Sequence, residues 1–225
     1  MIKRFALAGL IAFAASAAQA QVASGTYFME DGGGTMKITK GAFEISTGGA
    51  PGVCNIKGAL KGSTGRATEE DVCVLSFRAK KDGYEVVIKT EEGCRSYCGA
   101  HASLDGMYYR PAPGCDDSGR KATRAKFRAA YDAKDYAKAE TIIAGQLSSC
   151  AKTLQPIEAA GVRNDLAITL HHLGRKGECL KVLEPLADEV AQKDEEIEGR
   201  YTAAQWQTYK SYVKATRANL ALCKA

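Results

Sequence analysis

One boundary constrains this chain's fold more than any other feature: the turn-forming run at 111–114, Pro-Ala-Pro-Gly, across which glycine gives way to alanine. Residues 21–114 hold 16 of the 23 glycines, whereas the 111 residues beyond share six glycines and 20 alanines. Glycine punctuation breaks a chain into short strands and turns, and alanine favours helix. A chain of 225 residues is long enough for one large domain or two small ones. The expected fold class is therefore α+β: a small antiparallel β barrel or sandwich over 21–110, a linker at 111–115, and a helical domain over 116–225. With 45% hydrophobic and 25% charged residues, disorder, collagen-like repeats and a multi-span membrane protein are excluded.

In the first part, alternating or β-rich runs recur between turn signals at 26–28, 35–39, 42–46, 53–60, 72–78 and 84–89. They predict six to eight short strands. The segments Gly25-Thr26-Tyr27 and Asp105-Gly106-Met107-Tyr108-Tyr109 are candidates for first-to-last pairing, which closes a sheet and removes its edges. Gly32-Gly33-Gly34, following Glu30-Asp31, reads as a turn between strands.

Beyond 115, apolar residues recur at helical spacing: Tyr136, Ala139, Ile143, Leu147 and Cys150; Val162, Leu166, Leu170 and Leu173; Cys179, Leu183, Leu186 and Val190; Trp206, Tyr209, Val213, Thr216, Leu220 and Cys223. With a helix over 120–133, five helices are expected, the fourth kinked at Pro185. Lys134-Asp135-Tyr136-x-x-Ala139-x-x-x-Ile143 aligns with Gly174-Arg175-Lys176-x-x-Cys179-x-x-x-Leu183 at an offset of 40. The first copy resembles the second helix of a tetratricopeptide repeat, with an unpaired last helix as its cap. The offset departs from that family's period of about 34 residues, and the proline that ends its unit is missing. The resemblance implies an array of helical hairpins with a concave binding face; a plain helical bundle is the alternative.

Residues 1–20 read as a secretory signal: Lys3 and Arg4, an apolar run over 5–18, and Ala18-Gln19-Ala20 before a cleavage point at Gln21. The run is too short and too rich in alanine for a membrane anchor, and no cysteine follows it to carry a lipid. Periplasmic localisation is expected, with secretion as the alternative and no membrane insertion. There Cys54, Cys73, Cys94, Cys98, Cys115, Cys150, Cys179 and Cys223 persist as disulfides. In an up-down array the start of the first helix lies beside the end of the second, and the start of the fourth beside the end of the fifth. Cys115–Cys150 and Cys179–Cys223 are therefore expected, leaving Cys54–Cys73 and Cys94–Cys98 for the β part.

The formal charge of +5 falls to +3 without Lys3 and Arg4, and residues 21–114 hold 11 acids and 11 bases. All of the mature excess lies in the helical part, and nucleic acid is not implied. Arg120, Lys121, Arg124, Lys126 and Arg128 form the densest basic run. Arg120, Arg124 and Arg128 recur every four residues, so they share a helix face suited to an acidic protein surface or an anionic envelope polymer. Tyr212 lies off the stripe that carries Trp206 and Tyr209, which leaves it available to a partner.

Catalytic signals are few. Only His101, His171 and His172 suit general-base chemistry at neutral pH, and the adjacent pair point about 100° apart on a helix, so at most one faces a given pocket. A histidine in a helix's last turn is also explained by the dipole. No Gly-x-Ser-x-Gly, His-Glu-x-x-His or phosphate-binding glycine loop is present. Glu69-Glu70-Asp71 and Glu91-Glu92 fall in turns and read as solvated. Cys94-x-x-x-Cys98-x-x-His101 has zinc-like residues but no fourth ligand, and export oxidises such a pair. No metal, cofactor or enzymatic activity is expected.

The segment Cys94-Arg-Ser-Tyr-Cys98-Gly-Ala-His-Ala-Ser-Leu-Asp-Gly-Met-Tyr108 resembles small cysteine-rich domains of Gram-negative periplasmic proteins, including lysozyme-inhibitor-like chains. Ser24-Gly25-Thr26-Tyr27 is similar to the Ser-Gly-x-x-Tyr element of one lysozyme-inhibitor family. That resemblance covers only the β part and implies Ser24 and Tyr27 as partner-binding residues. The leading expectation is a periplasmic, non-enzymatic protein-binding scaffold for another envelope protein, with Arg120, Arg124, Arg128 and Tyr212 as contacts. An inhibitor of a peptidoglycan-cleaving enzyme is the alternative, and an envelope hydrolase using the histidines comes last.

Overall fold

The computed structural model describes residues 21–49, 52–99 and 102–225. The leader at 1–20 and His101 lie outside the described residues. The chain is α+β, with eight antiparallel strands in sequential order followed by helices. The strands are β1 (Gly25–Met29), β2 (Gly34–Thr39), β3 (Ala42–Gly49), β4 (Gly52–Lys61), β5 (Thr64–Ala67), β6 (Cys73–Lys80), β7 (Gly83–Ile88) and β8 (Gly106–Tyr109). β1 pairs with β8 through Phe28 opposite Tyr109 and Met29 opposite Tyr108, so the sheet closes into a barrel at the aromatic ends that the sequence singled out.

Alternation decides what fills the barrel. Met36 and Ile38 of β2, Phe43 and Ile45 of β3, Ile56 of β4, Leu75 and Phe77 of β6, and Val86 of β7 are all buried, while the residues between them along β2 to β4 are exposed. Eight strands enclose a space just wide enough for such side chains to meet, and the Phe43 and Phe77 rings cross edge to face at 5.4 Å. The two closing tyrosines are anchored alike: Tyr27 donates its hydroxyl to the Ala23 carbonyl (2.8 Å) and Tyr108 to that of Leu104 (2.9 Å). At Gly83 the β7 and β8 backbones come so close that any Cβ would strike the Tyr108 carbonyl. Between β1 and β2 the expected glycine turn is a single 3-10 turn, Glu30–Gly32, with Gly32 at φ +66°.

The barrel's disulfides correct the expected pairing. Cys54 bonds Cys98 and Cys73 bonds Cys94; Cys54–Cys73 and Cys94–Cys98 do not form. Strand β5 runs between β4 and β6, so Cys54 and Cys73 stand two strand spacings apart, about 10 Å, beyond the ~7 Å that a disulfide spans. The short helix α1 (Glu91–Arg95) and the turn after it lie across the barrel end instead. Thr90 binds the backbone at Val72 and Val74, which sets Cys94 beside Cys73. Asn55 N donates to Tyr97 O and Gly99 N to Val53 O, which sets Cys98 beside Cys54. With Cys94 and Cys98 both oxidised, the zinc-like spacing supplies no thiolate.

The helical half comprises α2 (Asp117–Asp132), α3 (Tyr136–Ser149), α4 (Pro156–His172), α5 (Lys176–Val190), the short α6 (Asp194–Glu198) and α7 (Ala203–Lys224). Five of these are the expected helices; α6 is additional, and α5 runs through Pro185. The repeat is visible in the backbone. Lys134 and Gly174 both take positive φ, Asp135 N bonds Ala130 O as Arg175 N bonds Leu170 O, and Ala139 N bonds Asp135 O as Cys179 N bonds Arg175 O. The α2–α3 and α4–α5 hairpins therefore share one turn, 40 residues apart. Cys115–Cys150 and Cys179–Cys223 form as expected.

Helix α4 is central, burying Ala160, Val162, Asn164, Leu166, Ala167, Thr169 and Leu170 against α3, α5 and α7. The two halves touch along one seam. Asp31 N donates to Lys152 O (3.0 Å), Gln155 Nε2 to Gly32 O (3.2 Å), and Lys152 Nζ pairs with Asp82 (3.0 Å). The Arg120 guanidinium lies 5.7 Å from the centre of the Phe28 ring.

Candidate functional site

The basic run lies along α2. That helix starts at Asp116, whose side chain accepts from Gly119 N (2.7 Å), with Asp117 in the first turn where the dipole favours an acid. Phe127 and Ala130 hold its inner face in the core. The spacing of four then sets Arg120, Arg124 and Arg128 along a flank of that face, turned toward α4, where they line a groove of about 810 Å³. Helix α4 forms the other wall with Glu158 and Val162, α3 contributes Gln146 to the floor, and α7 brings Tyr212. Tyr212 is half-buried, its ring packed over Gly161, where a Cβ would meet the ring at 3.0 Å.

Four of the residues singled out by sequence thus converge on one concavity. Ser24 and Tyr27 do not join them. The Tyr27 ring is 1% exposed inside the barrel, and its hydroxyl and the Ser24 carbonyl both accept from Arg110. Gln146, Glu158 and Val162 were missed in reading the sequence. Gln146 had a signal, since 139, 143, 146 and 150 continue the buried stripe of α3 with a polar residue at one place.

The groove lining carries four cations, Arg120, Lys121, Arg124 and Arg128, against two carboxylates, Asp117 and Glu158. Arg120 is held by Asp117 (2.6 Å) and by Glu158 (3.4 Å), and donates to the Cys115 carbonyl (2.6 Å). Arg124 reaches across to Asp165 on α4 (2.9 Å). Lys121 and Arg128, both exposed, make no ion pair among the described residues. The pairs to Glu158 and Asp165 tie α2 to α4, while the two unpaired cations leave the face positive.

Burial holds the Asp165 carboxyl above the ordinary carboxylate range, despite the opposing pull of Arg124 and Arg128. The folded protein therefore binds this proton more tightly than the unfolded chain, and ionised Asp165 costs stability above its raised pKa. That cost disappears below the ordinary carboxylate range, where both states are protonated. Asp165→Asn should raise the melting temperature at neutral pH, with the gain shrinking to nothing as pH falls through that range. A pH series of thermal melts on the two proteins checks this, and an equal offset at every pH would contradict it.

His171 and His172 form a different surface. His172 stacks on Tyr136 at 4.4 Å, its Nε2 lies 3.1 Å from the Tyr131 hydroxyl, and His171 meets it edge to face. Asp165, about two turns earlier on α4, is engaged by Arg124. Glu69, Glu70, Asp71, Glu91 and Glu92 are exposed. No group of three or more His, Cys, Asp or Glu side chains with metal-binding geometry occurs among the described residues.

The fold and site define a class: a disulfide-stapled α+β protein in which a packed barrel abuts a helical half with a basic groove. Four disulfides are the chemistry of a chain that folds outside a reducing cytoplasm. Among the described residues no helix is long and apolar enough to cross a membrane. No protein-family model, curated protein or solved structure matches the chain.

Proposed function

We propose that this is an exported, periplasmic, non-enzymatic interaction protein. In this reading the helical half is a tetratricopeptide-like array, and its concave face holds an acidic segment of another envelope protein. The observation that carries the reading is the convergence of Arg120, Arg124, Arg128 and Tyr212 on one groove with twice as many cations as carboxylates. A groove with a surplus of one charge steers an oppositely charged partner and rejects like-charged ones. The shared hairpin turn, 40 residues apart, supports an array over a plain bundle. The packed barrel then acts as a rigid platform beside the groove, joined to it through Arg120, Lys152 and Gln155.

Lys121→Glu/Arg128→Glu tests the reading, because both side chains are exposed and neither holds the fold through an ion pair among the described residues. The wild type, immobilised, should retain a defined envelope protein at low salt and release it as ionic strength rises. The double variant should lose at least tenfold in affinity for that protein at an unchanged melting temperature. Equal retention by the variant would refute the groove as the binding surface.

A further inference from the structure

A second concavity opens where the barrel meets the helical half. It encloses about 600 Å³ between the β6–β7 turn, the segment after β8 and the chain at 149–153. Its lining holds four cations, Lys80, Lys81, Arg110 and Lys152, against one carboxylate, Asp82. Glu85 pairs with Lys80 (3.1 Å) and Asp82 with Lys152 (3.0 Å), whereas Arg110 and Lys81 make no ion pair among the described residues.

Arg110 is fixed in place before any ligand arrives. Its Nη2 donates to the Tyr27 hydroxyl (2.8 Å) and the Ser24 carbonyl (3.3 Å), and its guanidinium lies 5.1 Å from the centre of the Tyr27 ring. Gly25 leaves it room, since a Cβ there would stand 3.2 Å from Nη2. These contacts occupy Nη2 and leave the Nε–H and both Nη1–H bonds without an acceptor among the described residues. Arg110 N donates to Asp82 O (2.9 Å), which ties it to the turn that carries the exposed Lys81.

We propose that this cleft binds a phosphate monoester. The unused N–H bonds of Arg110 and the ammonium of Lys81 supply cationic donors in surplus, which suits an anion rich in acceptor oxygens. A phosphate monoester brings three terminal oxygens and up to two charges, a carboxylate two oxygens and one charge. An arginine already held in position loses little freedom on binding, so less of the gain is spent on ordering it. The cleft is far larger than a phosphate group and within the range of small-molecule sites, so the ester's organic body has room against Tyr84, Tyr109 and Pro111. It shares no lining residue with the groove between α2 and α4.

The test uses the full-length mature protein and two sources of monoester. Calorimetric titration compares glucose 1-phosphate with inorganic phosphate and glucuronate. Flotation compares phosphatidylcholine vesicles containing phosphatidate, a monoester, with vesicles containing phosphatidylglycerol, a diester. A soluble ester is the ligand if glucose 1-phosphate binds at least tenfold more tightly than the other two anions. A lipid headgroup is the ligand if phosphatidate vesicles alone retain the protein. In either case Lys81→Glu should weaken the responding probe at least tenfold at an unchanged melting temperature. Arg110→Gln, which keeps a donor for Ser24 and Tyr27, should weaken it further.

Inorganic phosphate or glucuronate binding as tightly as glucose 1-phosphate, with equal retention on the two vesicles, overturns the assignment. So does binding of neither monoester, or full affinity in both variants. Lys121→Glu/Arg128→Glu should leave monoester binding unchanged, so the two sites stand or fall separately.

Discussion

Replacing Cys54 and Cys98 together by alanine is expected to lower the stability of the barrel by about 4 kcal/mol, from the loop-entropy cost of a closed loop with a sequence separation of 44. Removing Cys73–Cys94, with a separation of 21, should cost less by only about 0.6 kcal/mol, because loop entropy grows with the logarithm of length. Small domains hold roughly 5–15 kcal/mol in all, so either loss is a large share. Cys54–Cys98 should matter more for a second reason. It pins the segment at 97–99 to β4 by the same contact that Asn55 N and Gly99 N make through hydrogen bonds. Urea titration followed by tyrosine fluorescence, which samples five tyrosines in each half, should show a component moving to lower denaturant that tryptophan fluorescence does not share. Trp206, the only tryptophan, is buried in the helical half and reports that half separately. An unmoved tyrosine transition would contradict the prediction. Peptide mapping without reduction should recover the 54–98 and 73–94 linkages.

The second large effect is expected at Asn164, which joins α4 to α7. Its Nδ2 donates to Thr216 Oγ1 (2.9 Å) and to the carbonyls of Ala160 (3.0 Å) and Tyr212 (3.3 Å), and its Oδ1 accepts from Asn219 (3.0 Å). Asn164, Thr216 and Asn219 are all buried. Asn164→Ala removes the side chain that joins the other two, leaving Thr216 bonded only to the Tyr212 carbonyl and Asn219 only to the backbone carbonyl at 164, so the loss should be about 2 kcal/mol. The network also fixes the backbone at Tyr212, which lines the groove. The variant should therefore weaken partner binding even where it stays folded. A double-mutant cycle with Asn219→Ala measures the coupling, and additive losses would show that the three do not act as a unit.

Much of the fold was legible along the chain. Alternating or β-rich runs and the aromatic segment at 105–109 located seven of the eight strands, all but β5; helical stripes located four of the six helices beyond residue 115, with a fifth expected over 120–133; and the offset of 40 was repeated in backbone hydrogen bonds. The candidate site was half legible. A spacing of four put Arg120, Arg124 and Arg128 on one face, because a helix repeats every 3.6 residues whatever packs against it. That Tyr212, some 84 residues after Arg128, faces the same groove has no local signature. The inward polar residues Gln146 and Asn164 were hidden for a related reason. A polar residue at a stripe position is visible in sequence, but what it meets there depends on the neighbouring helix.

The cysteines separate the two levels of information most cleanly. Within the helical half, hairpin order alone predicted Cys115–Cys150 and Cys179–Cys223, since antiparallel helices bring one start beside the next end. In the barrel the nearest cysteines in sequence were the wrong partners. Strand order inserts β5 between Cys54 and Cys73, and α1 with the turn after it brings Cys94 to β6 and Cys98 to β4. Class of secondary structure and helix faces follow from composition and period, which act over a few residues. Barrel pairing, the groove's far wall and its buried floor follow from which elements become neighbours, a choice made by the burial of side chains distant in sequence.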